Sequence, residues 1–254
     1  MKINLPNHEF LMDEVKSKGF AIIKDCISSE FIASQRLRWI PRFTKKNVDK
    51  NFVRGNLILG EKNFLSYSDI DSWCMYRYYE FLWNQTDDME ALALHKEIHK
   101  FRNKMQGLDS NLGLNYNESN YGIYISTSYY PPNIGMLHSH ADGHKNVPIL
   151  HYMLPFTFKG QDYYEGGLFI KNKLGERCDL DLLVEPGDII FFDGRLEHWV
   201  DTIKSKKPNS LGRLAVFAIP THFIPDSTYK VFKRSISIKI KEALSKITFK
   251  KYRQ

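Results

Sequence analysis

Gly135-Met-Leu-His-Ser-His-Ala-Asp142 gathers metal-binding side chains into one short stretch. Residues two apart on a β-strand project to the same side, so His140 and Asp142 can converge on one ion. A third ligand must then come from a distant strand. Glu197-His198-Trp199 offers His198, and it follows Pro186-Gly-Asp-Ile-Ile-Phe-Phe192, which reads as a turn feeding a buried strand. Two histidines and one carboxylate form the facial triad suited to non-haem Fe(II), leaving three positions for ligands that react. An alternative set is a three-histidine site from His138, His140 and His198. His144 and His151 read either as groups around the site or as surface residues.

Outward from this stretch, the chain after about Leu112 breaks into short β-rich runs separated by Gly, Pro, Asn and Asp. The runs are 121–130, 147–154, 167–170, 180–184, 188–192, 198–202 and 214–219. So many strands in so short a span predict a barrel or a two-sheet jelly roll. The first half has another texture. Phe10, Leu11 and Val15 recur at helical spacing, Gly19-Phe-Ala-Ile-Ile-Lys24 reads as a strand, and Ser28 or Ser29 is placed to cap a helix through Arg38. Residues 69–106 read as helical, with Trp73, Tyr76, Tyr79, Leu82, Leu92, Leu94, Ile98 and Phe101 as an inner face. The expectation is a mainly β fold with supporting helices, in one domain over 1–254. Within it, 1–112 is a mostly helical support region, 113–224 the jelly-roll core and 225–254 a basic C-terminal helix.

Arg213 opens the apolar strand Leu214-Ala-Val-Phe-Ala-Ile219, fifteen residues after His198. An isolated guanidinium there is costly to bury and needs an anionic partner. Its planar fork suits the far carboxylate of a dicarboxylate, held by two charge-assisted hydrogen bonds.

The ordered series resembles the Fe(II)- and 2-oxoglutarate-dependent dioxygenases, and within them the prolyl-4-hydroxylase branch. It runs through Tyr130-Pro-Pro-Asn-Ile-Gly135, His140 and Asp142, Leu150-His-Tyr152, Glu165-Gly-Gly-Leu-Phe169, Pro186-Gly-Asp188, Phe191-Phe192, His198 and Arg213, over about 90 residues. The stretch 11–32, with Gly19-Phe-Ala-Ile-Ile-Lys-Asp25, is similar instead to the start of phytanoyl-CoA-hydroxylase-type members. The resemblance implies a double-stranded β-helix of cupin-like build in which His140, Asp142 and His198 ligate iron. It further implies that Arg213 anchors 2-oxoglutarate and that the phenols of Tyr130 and Tyr152 contact this cosubstrate. The implied activity is oxidation of an unactivated C–H bond by hydroxylation, desaturation or cyclisation, with O2 consumed, succinate and CO2 released, and ascorbate as a reductant. Asp142 stands where halogenases of this superfamily have Gly or Ala, which favours hydroxylation or a related oxidation. Leu154, in place of an Asn that often follows the Tyr-Leu pair, and a lengthened hairpin over 204–211 argue against prolyl-peptide substrates. The mouth residues 142–146 and Arg195 suggest a small carboxylate-bearing substrate. The alternatives are a peptide or protein-residue hydroxylase and a cupin-type metal-binding protein without oxygenase activity.

Composition narrows the field. The 254 residues are 43% apolar and 26% charged, ordinary for a globular domain, and no apolar run approaches the length of a membrane span. Three cysteines, Cys26, Cys74 and Cys178, lie far apart without CxxC spacing, against a disulfide framework or cysteine-rich zinc site. With no apolar leader at the N-terminus, a cytoplasmic setting is the expectation. The formal charge of +7 is concentrated from Lys230 onward, where nine Lys or Arg residues meet one Glu. The body is therefore near neutral, which argues against nucleic acid. Ile236, Ile240, Leu244 and Ile247 make the basic tail an amphipathic helix, docked by one face or turned to an acidic partner or surface.

Overall fold

The computed structural model describes residues 3, 5–44, 64–70, 73–115, 121–142, 150–206 and 210–222. The segment 225–254, with its expected basic helix, and His144 lie outside them.

The chain begins with α1 (His8–Lys18), β1 (Phe20–Ile23) and α2 (Ser29–Thr44). Asn7 caps α1 by accepting from the Glu9 amide at 2.8 Å. Gly19 ends it in the left-handed region at φ 97°, where a side chain would be strained. Leu11 and Val15 are buried as expected, whereas Phe10 faces outward. Of the two candidate caps for α2, Ser28 takes the role, its hydroxyl accepting from the Phe31 amide at 3.2 Å. After β2 (Phe64–Ile70) and β3 (Trp73–Phe81), α3 (Met89–Met105) starts at the Asp88 cap. It buries Leu94, Ile98, Phe101 and Met105 along one stripe.

The expectation of helix over 69–106 is corrected in its first part, because 73–81 is strand. Tyr76 and Tyr78 pack on the α2 side against Phe43 and Trp39, while Met75 belongs to the opposite interior. A strand covered on both faces carries no polar alternation, so its periodicity does not separate it from a buried helix, and aromatic residues favour the pleated surface.

Eight further strands follow: β4 (Tyr121–Tyr130), β5 (Met136–His140), β6 (Leu150–Pro155), β7 (Glu165–Lys171), β8 (Arg177–Asp179), β9 (Ile189–Asp193), β10 (His198–Lys204) and β11 (Arg213–His222). They pair antiparallel in the order β1-β9-β6-β11-β4-β3-β5-β10-β7-β8, with β2 added on β3. Apart from the β7–β8 hairpin, whose two strands are paired neighbours, successive strands from β4 to β11 thus alternate between a larger wall, built on β9, β6, β11 and β4, and a smaller one of β5, β10, β7 and β8. This is the double-stranded β-helix. The expected strand over 180–184 is instead a single 3-10 turn, Leu180–Leu182.

Side-chain alternation divides the core in two. Tyr152, Leu154, Phe191, Leu214, Val216 and Ala218 join the cluster beneath the helices. Their neighbours Met153, Phe192, Ala215 and Phe217 join a second cluster between the walls, with Leu168, Ile170 and Val200 from the smaller wall. Arg102 of α3 is buried and donates from Nε to the Leu150 carbonyl at 2.6 Å, fastening the helical layer to β6.

Candidate active site

β5 and β10 are hydrogen-bonded neighbours with His140 directly opposite His198. Their ring centroids are 4.3 Å apart. In each ring Nδ1 faces a main-chain carbonyl two residues back, His138 at 3.0 Å and Leu196 at 2.8 Å. A carbonyl only accepts, so Nδ1 carries the proton and Nε2 keeps its lone pair, the tautomer that metal ligation needs. Burial, together with the nearby His151 and His140 rings, lowers His198 to about 4 and keeps it neutral at ordinary pH.

Asp142 follows β5 and is tied down through its amide, which donates to the Gly194 carbonyl at 2.8 Å. Its Oδ2 lies 4.0 Å from His198 Nε2 and accepts from His151 Nε2 at 2.7 Å. Burial opposes ionisation of this carboxyl, but the His151 hydrogen bond and the surrounding imidazoles prevail and hold it at about 2. His151, left open between site and surface on the sequence, is 2% exposed, stacked on Phe192 and aimed at Asp142. His138 is exposed on β5. Among the described residues, no three His, Cys, Asp or Glu side chains are already closed to ligating distances. The donor set nonetheless fits a ferrous ion: two imidazole lone pairs and one ionised carboxylate adjoin, and a carboxylate bonded once retains further lone pairs.

Arg213 is 1% exposed at the start of β11, opposite Tyr130 on β4. Its anionic partner within the chain is Asp181, to which it donates from Nε at 2.6 Å and from Nη2 at 2.9 Å. The remaining nitrogen, Nη1, is buried without a hydrogen-bond partner. Tyr130 stacks its ring 5.5 Å from the guanidinium. Asp181 was not legible as a site residue, because a strand over 180–184 gives no reason for an acid inside. The 3-10 turn carries it inward, and the signal was an Asp within the apolar run Leu180-Asp-Leu-Leu-Val184. Gly167 makes room for it: a Cβ there would lie 2.4 Å from Asp181 Oδ2.

Two expectations are corrected. Tyr152 is not brought to the site. It faces the helices, its hydroxyl 3.1 Å from His95 Nδ1 on α3, since its neighbour His151 takes the inward position on β6. Arg195 does not stand free at the mouth, because Nε and Nη2 both bond the Asp193 carboxylate, at 2.8 and 2.7 Å.

No protein-family profile and no curated protein matches the chain. Solved structures do. A prolyl-4-hydroxylase from Pseudomonas putida aligns with a TM-score of 0.56 at 14% identity, over 85% of this chain and 99% of that one. SnoK, a non-haem α-ketoglutarate-dependent carbocyclase from nogalamycin biosynthesis, gives 0.54 at 12%, over 85% and 84%. The epimerase SnoN, solved with Fe3+ and α-ketoglutarate, gives 0.52 at 12%, over 85% and 83%. The fold is that of the Fe(II)/2-oxoglutarate oxygenases. Prolyl-4-hydroxylase is among its structural neighbours, as the resemblance implied.

Proposed function

We propose that this chain is an Fe(II)- and 2-oxoglutarate-dependent oxygenase that oxidises an unactivated C–H bond of a small molecule, with succinate and CO2 released. The observation that carries this reading is the placement of His140 against His198, each with Nδ1 committed to a carbonyl, beside the ionised Asp142. His140, Asp142 and His198 hold the iron. When bound, iron and 2-oxoglutarate supply the oxidising power, which no side chain of the chain has.

The remaining residues bind and orient. His151 holds the Asp142 carboxylate by a hydrogen bond and so would limit its rotation when it serves as a ligand. Arg213 offers Nη1 to the far end of 2-oxoglutarate, within reach of Tyr130. Phe192, against both His151 and His198, lines the centre with apolar surface and limits water there. A small carboxylate-bearing molecule is the proposed substrate class. SnoK and SnoN support a small molecule, being assigned to nogalamycin biosynthesis and bound to a nogalamycin compound respectively. The prolyl-4-hydroxylase neighbour keeps a peptide substrate as the second reading.

The test is anaerobic addition of Fe(II) and 2-oxoglutarate to the purified protein. A weak visible charge-transfer band is expected, absent in His140→Ala, Asp142→Ala and His198→Ala. Wild-type protein without the band, or variants that keep it, would overturn the ligand assignment.

A further inference from the structure

A dicarboxylate brought between the two walls carries its far charge into a buried place, where it needs a net positive charge rather than a neutral pair. Arg213 alone does not meet that need, because Asp181 already neutralises it through two of its three nitrogens. A second guanidinium stands on the same inner face. Arg77 of β3 is in register with Ser128 of β4, and Ser128 is in register with Ala215 of β11, a member of the inner cluster. Arg77 donates to the hydroxyl of Tyr130, the residue whose ring adjoins Arg213. Its Nη1 also lies 3.3 Å from the Tyr79 hydroxyl. Beside it, Ser126 and Ser128 are 0% and 1% exposed and bond each other at 3.0 Å, two hydroxyls where a barrel interior would ordinarily be apolar. The buried, partnerless Nη1 of Arg213 is an independent sign that a ligand oxygen belongs here.

We propose that Arg77 and Arg213, bridged by Tyr130, form a two-guanidinium clamp for the distal carboxylate of the 2-oxo dicarboxylate cosubstrate, with Arg77 supplying the net charge. The clamp rests on the oxygenase reading above and assigns it a residue from β3, outside the eight strands of the double-stranded β-helix. Arg213 contributes one donor and direction. Arg77 contributes the charge that Asp181 has cancelled on its partner.

The test is calorimetric titration of anaerobic Fe(II)-loaded protein with 2-oxoglutarate and with 2-oxopentanoate, which has the same chain length and no distal carboxylate. Wild-type protein should prefer 2-oxoglutarate. Arg77→Gln should weaken 2-oxoglutarate roughly 10- to 100-fold, the range of one lost charge-assisted contact, and leave 2-oxopentanoate unchanged. Arg77→Lys, which keeps the charge without the fork, should fall between. Tyr130→Phe should weaken 2-oxoglutarate several-fold and again spare 2-oxopentanoate. An Arg77→Gln protein that keeps the full preference, or variants that lose both ligands equally, would overturn the clamp while leaving the oxygenase reading intact. Wild-type protein without any preference would bring down that reading, and the clamp with it.

Discussion

The Asp181 carboxylate holds the Arg213 guanidinium from 32 residues away in sequence, through bonds of 2.6 Å to Nε and 2.9 Å to Nη2. It also accepts from the Tyr163 hydroxyl at 2.7 Å and the Leu168 amide at 2.8 Å. This buried acid is therefore saturated with donors, and it locks the start of β11 to β7.

Asp181→Ala leaves a guanidinium buried with no counter-charge, which should cost about 3–5 kcal/mol of stability. Urea denaturation measures it, and a change below about 1 kcal/mol would show the pair to be dispensable. Burial opposes ionisation of Asp181, but Arg213 and its hydrogen bonds prevail and lower its pKa in the fold. Its contribution is accordingly full above the unfolded carboxylate value of about 4 and is lost as pH falls through the folded value. Wild-type protein should show this acid loss, and Asp181→Asn should not.

Gly167→Ala should be as damaging as a change to the acid itself. Its φ of 109° disfavours any side chain, and the new Cβ would meet Asp181 Oδ2 at 2.4 Å. A loss of about 2 kcal/mol or more is expected by thermal or chemical denaturation, together with weaker 2-oxoglutarate binding as Arg213 shifts.

His95 and His99 on α3 set a second pH dependence. Burial lowers His95 to about 4, and burial with the adjacent Arg102 lowers His99 to about 3. Between those values and the unfolded value of about 6.5 the unfolded chain binds more protons, so stability should fall as pH drops through this window. Denaturation midpoints at pH 7.5, 6 and 5 should decrease in that order. His95→Gln should flatten part of the slope.

Tyr152 and Tyr130 should separate cleanly. Tyr152→Phe removes a hydroxyl whose partner is His95 beneath the helices, and should cost about 1 kcal/mol of stability with the KM for 2-oxoglutarate unchanged. Tyr130→Phe should raise that KM several-fold at nearly wild-type stability. Equal effects on KM would return Tyr152 to the site.

Where the chain's local chemistry is unambiguous, the sequence is a good guide to the fold. The strand 121–130 matches β4 residue for residue, because a run rich in Tyr, Ile and Thr, bounded by Asn120 and Pro131, favours an extended chain. His140 and Asp142 could be singled out as candidates because their spacing is local, and His198 because it follows a Pro-Gly-Asp turn into a strand. The strand at 73–81 was not legible, since its two faces are both covered and only the packing of Tyr78 on Trp39 separates strand from helix. His151 was ambiguous for a related reason: on a strand buried throughout, either of two neighbours can be the inward one.

The sequence by itself determined that short antiparallel strands would carry His140, His198 and Arg213 in a set order, with Asp142 close after the first, because period-2 patterning and turn residues act over a few positions. Only the tertiary structure decided which carboxylate neutralises Arg213, that Tyr152 turns to the helices, and that Arg77 of β3 shares Tyr130 with Arg213. Those outcomes depend on strand order and register between segments far apart in the chain. The free energy that selects among them is the burial and pairing of charge, which exists only once the walls have closed.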